Sequence, residues 1–177
     1  VFKKLSSNKT IAITMTTKKD SQYFNTLHIF YKGEIVHTQS KIQLFVLNDE
    51  KVHFTPGSLA DMKLVDLDGF KVGAMICFEL RFISYWQKLR GADLIIVPSM
   101  WGKPRKENFE TLTKALAVAN QCFVIACDSA NDDMAKGSGI ISPFGNEYRD
   151  DNKEYISRLV DLNEIANMRK YMDVGIK

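Results

Sequence analysis

At 177 residues the chain is long enough for one ordinary domain with its own core, and a hydrophobic content of 45% excludes a disordered polypeptide. The formal net charge is only +3, with lysines and arginines spread among acidic residues, so no continuous footprint for nucleic acid emerges. Its longest apolar runs, such as Leu94-Ile95-Ile96-Val97, fall far short of the roughly 20 residues of a membrane helix, and no apolar leader segment follows Val1-Phe2-Lys3-Lys4, so a soluble, cytoplasmic protein without membrane or nucleic-acid partners is expected.

In chain order, Thr10 to Met15 is rich in β-branched residues and Asn25 to Phe30 alternates polar with apolar, which predicts two strands. Tyr31-Lys32-Gly33-Glu34 then turns the chain into Ile35 to Thr38 as a hairpin. Phe54 to Ser58, with its Pro-Gly pair, marks a loop. Lys63 to Leu67 and Phe70 to Cys77 read as strands joined at Asp68-Gly69, with Cys77 closing the second. Ser84 to Arg90 is helical in pattern and Gly91 is placed to cap it. Ala92 to Val97 is an uninterrupted apolar run of the kind found in strands covered on both faces. Pro98 and Gly102 mark a loop, Glu107 to Gln121 a helix, and Cys122 to Ala126 another buried strand. Ser138 to Ser142, Pro143 to Asn146 and Glu147 to Arg149 predict strand, turn, strand. Tyr155 to Val160 predicts a further strand, and Leu162 to Tyr171 a final helix. The βαβαβ alternation implies an α/β fold with parallel strands and right-handed crossovers, organised as a single domain over residues 1–177.

Cysteine usage narrows the chemistry. Cys77, Cys122 and Cys127 contain no C-x-x-C pair and are odd in number, which argues against a disulfide framework and a zinc site. His28, His37 and His53 have no metal-ligand spacing, so neither metal nor cofactor is expected. Cys77, at the carboxyl end of a buried strand and followed by Phe78-Glu79-Leu80-Arg81 and a helix, stands where open α/β sheets place reactive groups. A thiolate there gains from a helix amino terminus or a nearby ammonium group. A small buried hydrophobe is the competing reading of Cys77, and the better one for Cys122 and Cys127. A cysteine–histidine protease is a weak alternative because all three histidines precede Cys77. A nucleotide-binding domain is weaker still, since no G-x-G-x-x-G or Walker sequence follows any strand.

Three stretches in order, Lys41 to Phe45, Glu50 to Gly57 and Val72 to Phe82, resemble successive motifs of the nitrilase, or carbon–nitrogen hydrolase, superfamily. The resemblance continues through Gly91-Ala92-Asp93 to Pro98, Ala115 to Ala126 and Gly139 to Gly145, and so covers nearly the whole chain. Pro98 to Gln121 is most similar to the ω-amidase-like branch, which acts on small linear amides. What this resemblance implies is an αββα-sandwich and a Glu-Lys-Cys site that hydrolyses non-peptide carbon–nitrogen bonds through a cysteine thioester. By match, Cys77 is the nucleophile and Lys41 the cation, although Lys41 read by itself is a solvated surface residue. The Lys41 ammonium and the Phe78 N–H are the implied oxyanion donors. Glu50 matches a second glutamate that orients the lysine or helps protonate the leaving group, with a surface carboxylate as the competing reading. Trp101, in a strand-end loop, is placed to line the acyl pocket.

Family domains are longer, beginning with a segment that supplies the first catalytic glutamate, and no carboxylate before Lys41 matches it, since only Asp20 and Glu34 are available. Smaller departures are Gln43, Ile83, Lys136-Gly137, Leu116 and Ala119. The expectation is a family domain lacking its amino-terminal portion, which associates with itself or with a separate amino-terminal fragment. Its function is then that of an amidase on small aliphatic amides, a dicarboxylic acid monoamide being the best fit. A non-catalytic scaffold, or a chain active only when complemented, is the alternative.

Overall fold

The computed structural model describes Val1 to Ile176. After the short helix α1 (Phe2–Leu5) come three antiparallel strands, β1 (Ile11–Lys19), β2 (Gln22–Tyr31) and β3 (Glu34–Ser40), which form one sheet in the order β1-β2-β3. Both hairpins turn on residues with positive φ, Asp20 at 54° and the Lys32-Gly33 pair at 48° and 82°. Opposite Ile29 and Phe30 the register skips Val36, a bulge in β3.

A helical turn, α2 (Glu50–His53), leads by way of an extended loop to the second sheet. That sheet has six strands in chain order: β4 (Val65–Leu67), β5 (Phe70–Ala74), β6 (Leu94–Pro98), β7 (Phe123–Cys127), β8 (Gly139–Ile141) and β9 (Glu147–Tyr148). The central β5, β6 and β7 are parallel, as the βαβαβ pattern requires, and the flanking strands are antiparallel. Their crossovers are α3 (Ile83–Lys88) and α4 (Lys106–Asn120), and α5 (Asn163–Tyr171) follows the sheet.

Alternation along the strands sorts the apolar residues into two cores. Leu27 and Ile29 of β2 meet Leu67, Val72, Ala74 and Ile76 across the two sheets. On the opposite face of the larger sheet, Ile95, Val97, Val124 and Ala126 meet Trp86 of α3, Leu89 just after it, and Phe109, Leu116 and Ala117 of α4. In α4 the buried residues Phe109, Thr113, Leu116, Ala117 and Asn120 recur at helical spacing, and Gln121 ends the helix in a left-handed conformation. Each large aliphatic side chain so buried contributes about 1.5–3 kcal/mol relative to exposure. The layers therefore run sheet, sheet, helices, with α1 on the far side of the smaller sheet, where Phe2 packs on Phe30. This is the α/β sandwich architecture expected.

Two local expectations are corrected. Tyr155 to Val160 forms no strand: it pairs with none of the described strands, and Leu159 (97% exposed) and Tyr155 (78%) have no face to pack against. Cys77 does not close β5: the paired strand ends at Ala74, and Cys77 opens a 3₁₀ turn, Cys77–Arg81.

Candidate active site at the carboxyl ends of the parallel strands

The parallel strands β5, β6 and β7 end side by side, and their following loops carry Cys77, the Ser99 to Gly102 segment and Asp128. Cys77 itself has φ +55°, the left-handed region that a side-chain-bearing residue occupies only where its surroundings enforce it. The chain reverses sharply between the end of β5 and the 3₁₀ turn, and Cys77 stands at that reversal.

Enforcement comes from Glu79. This carboxylate is fully buried, and it accepts the Ile76 N–H at 2.7 Å and the Ile42 N–H at 2.6 Å. One oxygen thus grips the residue before Cys77 and the other the residue after Lys41. Burial pushes its pKa above the usual carboxylate range, and the backbone N–H groups and Lys41 oppose that rise.

Lys41 is 1% exposed, which overturns the solvated reading of the sequence. It continues the inward-facing row of β3 after His37 and Gln39, and its backbone is pinned by Asn25 O and by the Gly57 N–H, each at 2.8 Å. A buried ammonium needs partners, and Glu50 supplies them: Lys41 Nζ lies 2.7 and 2.6 Å from its two carboxylate oxygens. Glu50 also accepts the Phe45 N–H at 2.6 Å, so it is not the loose surface carboxylate of the competing reading.

Cys77, Lys41 and Glu50 line one cavity of about 440 Å³ together with Met100 and Arg105, a size suited to a small ligand. A small apolar recess beside it is formed by Phe45, Phe78, Trp101 and Arg81, again with Cys77. Burial pushes the Cys77 thiol above its ordinary pKa; Lys41 and the Met100 backbone N–H pull it down, while the charges of Glu50 and Asp128 push it up. Cys122 is wholly buried, with its pKa pushed up to about 12 by desolvation, which fits the core role expected of it. Cys127, expected in the core, is instead exposed at the end of β7.

Trp101 is buried, packed on Phe109 at 5.3 Å and covered by the Arg81 guanidinium at 4.9 Å. Arg81 is further engaged by Asn108 at 2.8 Å. Arg105 is different: its guanidinium lies over the Phe45 ring at 5.4 Å, and among the described residues it forms no ion pair.

The sequence reading brought together Cys77, Lys41, Glu50, Phe78 and Trp101, and the structure gathers all five around one cavity system. It missed Glu79, Asp128, Met100 and Arg105. Among the described residues no helix is long and apolar enough to cross a membrane, and no cluster of His, Cys, Asp and Glu has the makings of a metal site.

Comparison with known proteins agrees. Residues 4–170 match the family described as carbon-nitrogen hydrolase. The chain is 31% identical over 173 residues to a 2-oxoglutaramate amidase of Bacillus subtilis, covering 93% of this chain and 66% of that protein. It is 25% identical over 171 residues to the omega-amidase YafV of Escherichia coli K12, again spanning 66% of the relative's length. A carbon-nitrogen hydrolase structure from Helicobacter pylori G27 superposes with a TM-score of 0.83 at 22% identity, covering 96% of this chain and 69% of that one, and so shows the shared fold.

Proposed function

The chain belongs to the carbon–nitrogen hydrolase family, with omega-amidases among its relatives, and from that premise we propose that it hydrolyses small linear amides through a thioester on Cys77. The observation that carries the reading is the meeting, in one cavity, of a left-handed strand-end cysteine with a fully buried, carboxylate-held lysine. In this scheme the Cys77 thiolate attacks the amide carbon. The carbonyl oxygen becomes an oxyanion beside the Lys41 ammonium and the Phe78 N–H. Collapse of that intermediate breaks the carbon–nitrogen bond, and ammonia leaves with a proton passed through the Lys41–Glu50 pair. Water then hydrolyses the thioester to the acid and frees the thiol.

Arg105 supports a substrate with an anionic far end, since its guanidinium is free of carboxylate partners on the cavity wall and pairs naturally with a carboxylate. A dicarboxylic acid monoamide has that shape.

The test is ammonia release by the full chain from succinamate and from butyramide, which differ in the terminal carboxylate. Succinamate is the expected better substrate, Cys77→Ala abolishes turnover, and Arg105→Gln raises KM for succinamate about 10-fold or more while leaving butyramide unchanged, as loss of a charged hydrogen bond predicts. Equal use of both amides by wild type refutes the Arg105 assignment.

A second reading, catalysis only with a base supplied by another polypeptide, is favoured by one observation. Glu50 is bound to Lys41, Glu79 to the Ile76 and Ile42 N–H groups, and Asp128 to the Trp101 N–H, so each of these carboxylates is already committed. Absence of ammonia release by a chain whose Cys77 alkylates readily supports this second reading over the first.

A further inference from the structure

Asp128 follows β7 and is buried at 9% exposure, yet among the described residues it has no ion-pair partner. Its carboxylate serves the backbone instead. Oδ1 accepts the Trp101 N–H at 2.8 Å, and Oδ2 accepts the Gly137 N–H at 3.4 Å. Ser138 fixes Asp128 in turn, accepting its N–H at 2.9 Å and donating to its carbonyl at 3.1 Å. The same two loops are cross-tied by the Ala135 N–H to the Trp101 carbonyl at 2.7 Å and the Lys103 N–H to the Asp133 carbonyl at 2.9 Å.

The loop held in this way is the one that faces the thiol. Met100 and Trp101 share the apolar recess with Cys77, and Met100 lines the larger cavity with it as well. Trp101 is the residue whose amide Asp128 holds, so the Met100–Trp101 peptide beside Cys77 is fixed by a side chain as well as by the backbone ties of the loop.

We propose that Asp128 is a positioning residue for Cys77: by gripping the Trp101 amide it fixes the Met100–Trp101 backbone on the cavity wall beside the sulfur, so that the Met100 N–H can turn to the thiolate. The same loop continues to Arg105, so one carboxylate sets both the nucleophile's donor and the pocket wall. The charged groups acting on Cys77 are Lys41, which favours the thiolate, and Glu50 and Asp128 itself, which oppose it. Asp128 therefore acts on the thiol in two opposite senses, through charge and through geometry. For turnover the inference rests on Cys77 as the nucleophile; for thiol reactivity it stands without that reading.

Two neutral replacements separate the senses. Asp128→Asn removes the charge and keeps an oxygen for the Trp101 N–H, whereas Asp128→Ala removes both. The assay is iodoacetamide alkylation of Cys77 in the full chain as a function of pH, read by peptide mass spectrometry so that Cys127 is scored separately. The Asn variant is expected to titrate at or below wild type. The Ala variant titrates above the Asn variant and alkylates about 3- to 10-fold more slowly at pH 8, the range that one hydrogen bond to the thiolate represents. On amide substrates kcat falls in the same order. If the Ala variant does not fold, Asp128→Ser, too short to reach Trp101, takes its place with the same two outcomes. Coincident profiles for the Asn and the shortened variant overturn the proposal. If none of the proteins hydrolyses amides, the alkylation comparison still decides it, so its failure is distinct from failure of the amidase reading.

Discussion

Lys41→Met and Glu50→Gln, alone and together, measure how the buried cation is held. Lys41 Nζ sits 2.6 and 2.7 Å from the two oxygens of Glu50, with the lysine side chain 1% and the glutamate side chain 19% exposed. Breaking a fully buried pair by removing one partner costs about 3–5 kcal/mol; because Glu50 keeps some hydration and the Phe45 N–H, Lys41→Met is expected to cost about 2–4 kcal/mol. Met preserves the apolar stem, so the loss is that of the charge. In the double variant both charges are gone, and its cost falls short of the summed single costs by about 1–3 kcal/mol. Urea unfolding followed by fluorescence suits the assay, since Trp86 and Trp101 are both buried. The thiol gives a second readout: Lys41→Met leaves Glu50 unopposed and raises the Cys77 pKa further, and the double variant brings it part of the way back. Additivity of the stability losses within about 0.5 kcal/mol, with an unmoved alkylation profile, refutes the pairing argument.

Gly57 and Glu79 give two more tests. A Cβ on Gly57 would meet the Ser40 carbonyl oxygen at 2.2 Å, so Gly57→Ala must displace the end of β3 next to Lys41; it is expected to cost about 1–3 kcal/mol in thermal or urea unfolding and to lower amide turnover, and an unchanged variant contradicts this. Burial raises the Glu79 pKa, so the folded state binds its proton more tightly than the unfolded state; that contribution is fully present below the unfolded pKa and is lost as pH rises through the folded one. Stability of Glu79→Gln measured relative to wild type should therefore improve between pH 4 and pH 7, and a constant or worsening difference shows that the N–H bonds outweigh burial.

Most of the fold was legible because the larger sheet is read one strand at a time. Ala92 to Val97 and Cys122 to Ala126 are continuous apolar runs and do form the central strands, although only one face of each is fully buried and Ile125 is exposed, and α4 carries its apolar stripe at helical spacing. Tyr155 to Val160 misled because β-favouring residues such as Tyr155, Ile156 and Val160 report a capacity to pair, whereas a strand exists only when it pairs with another. In the site, Cys77, Lys41 and Glu50 could be matched to motifs, but the carboxylates that fix the backbone around the thiol could not. Glu79 and Asp128 look like surface carboxylates in sequence, since their partners are backbone N–H groups in distant loops. Arg105 sits in Lys103-Pro104-Arg105-Lys106, which reads as a solvated basic run; only the fold shows that Arg105 turns onto Phe45 at the cavity wall.

The electrostatics of Cys77 lead to a last expectation, a pH profile. Burial is the largest influence on the thiol and favours its neutral form. Lys41 favours the thiolate, but Glu50 lies against that same ammonium and opposes it. The Met100 N–H is a second influence that favours the anion. Glu50, Glu79 and Asp128 each accept other hydrogen bonds, and among the described residues none of them is hydrogen-bonded to the Cys77 thiol. Attack within this set of residues therefore draws on the pre-ionised thiolate, and kcat/KM for an amide is expected to climb about tenfold per pH unit toward a Cys77 pKa above the ordinary thiol range. Ammonia release measured from pH 6 to 10 gives the profile, and Asp128→Ala should move its inflection in step with the alkylation curve. A plateau reached below pH 7 would refute the argument, because it would place the ionisation of Cys77 below the ordinary thiol range rather than above it.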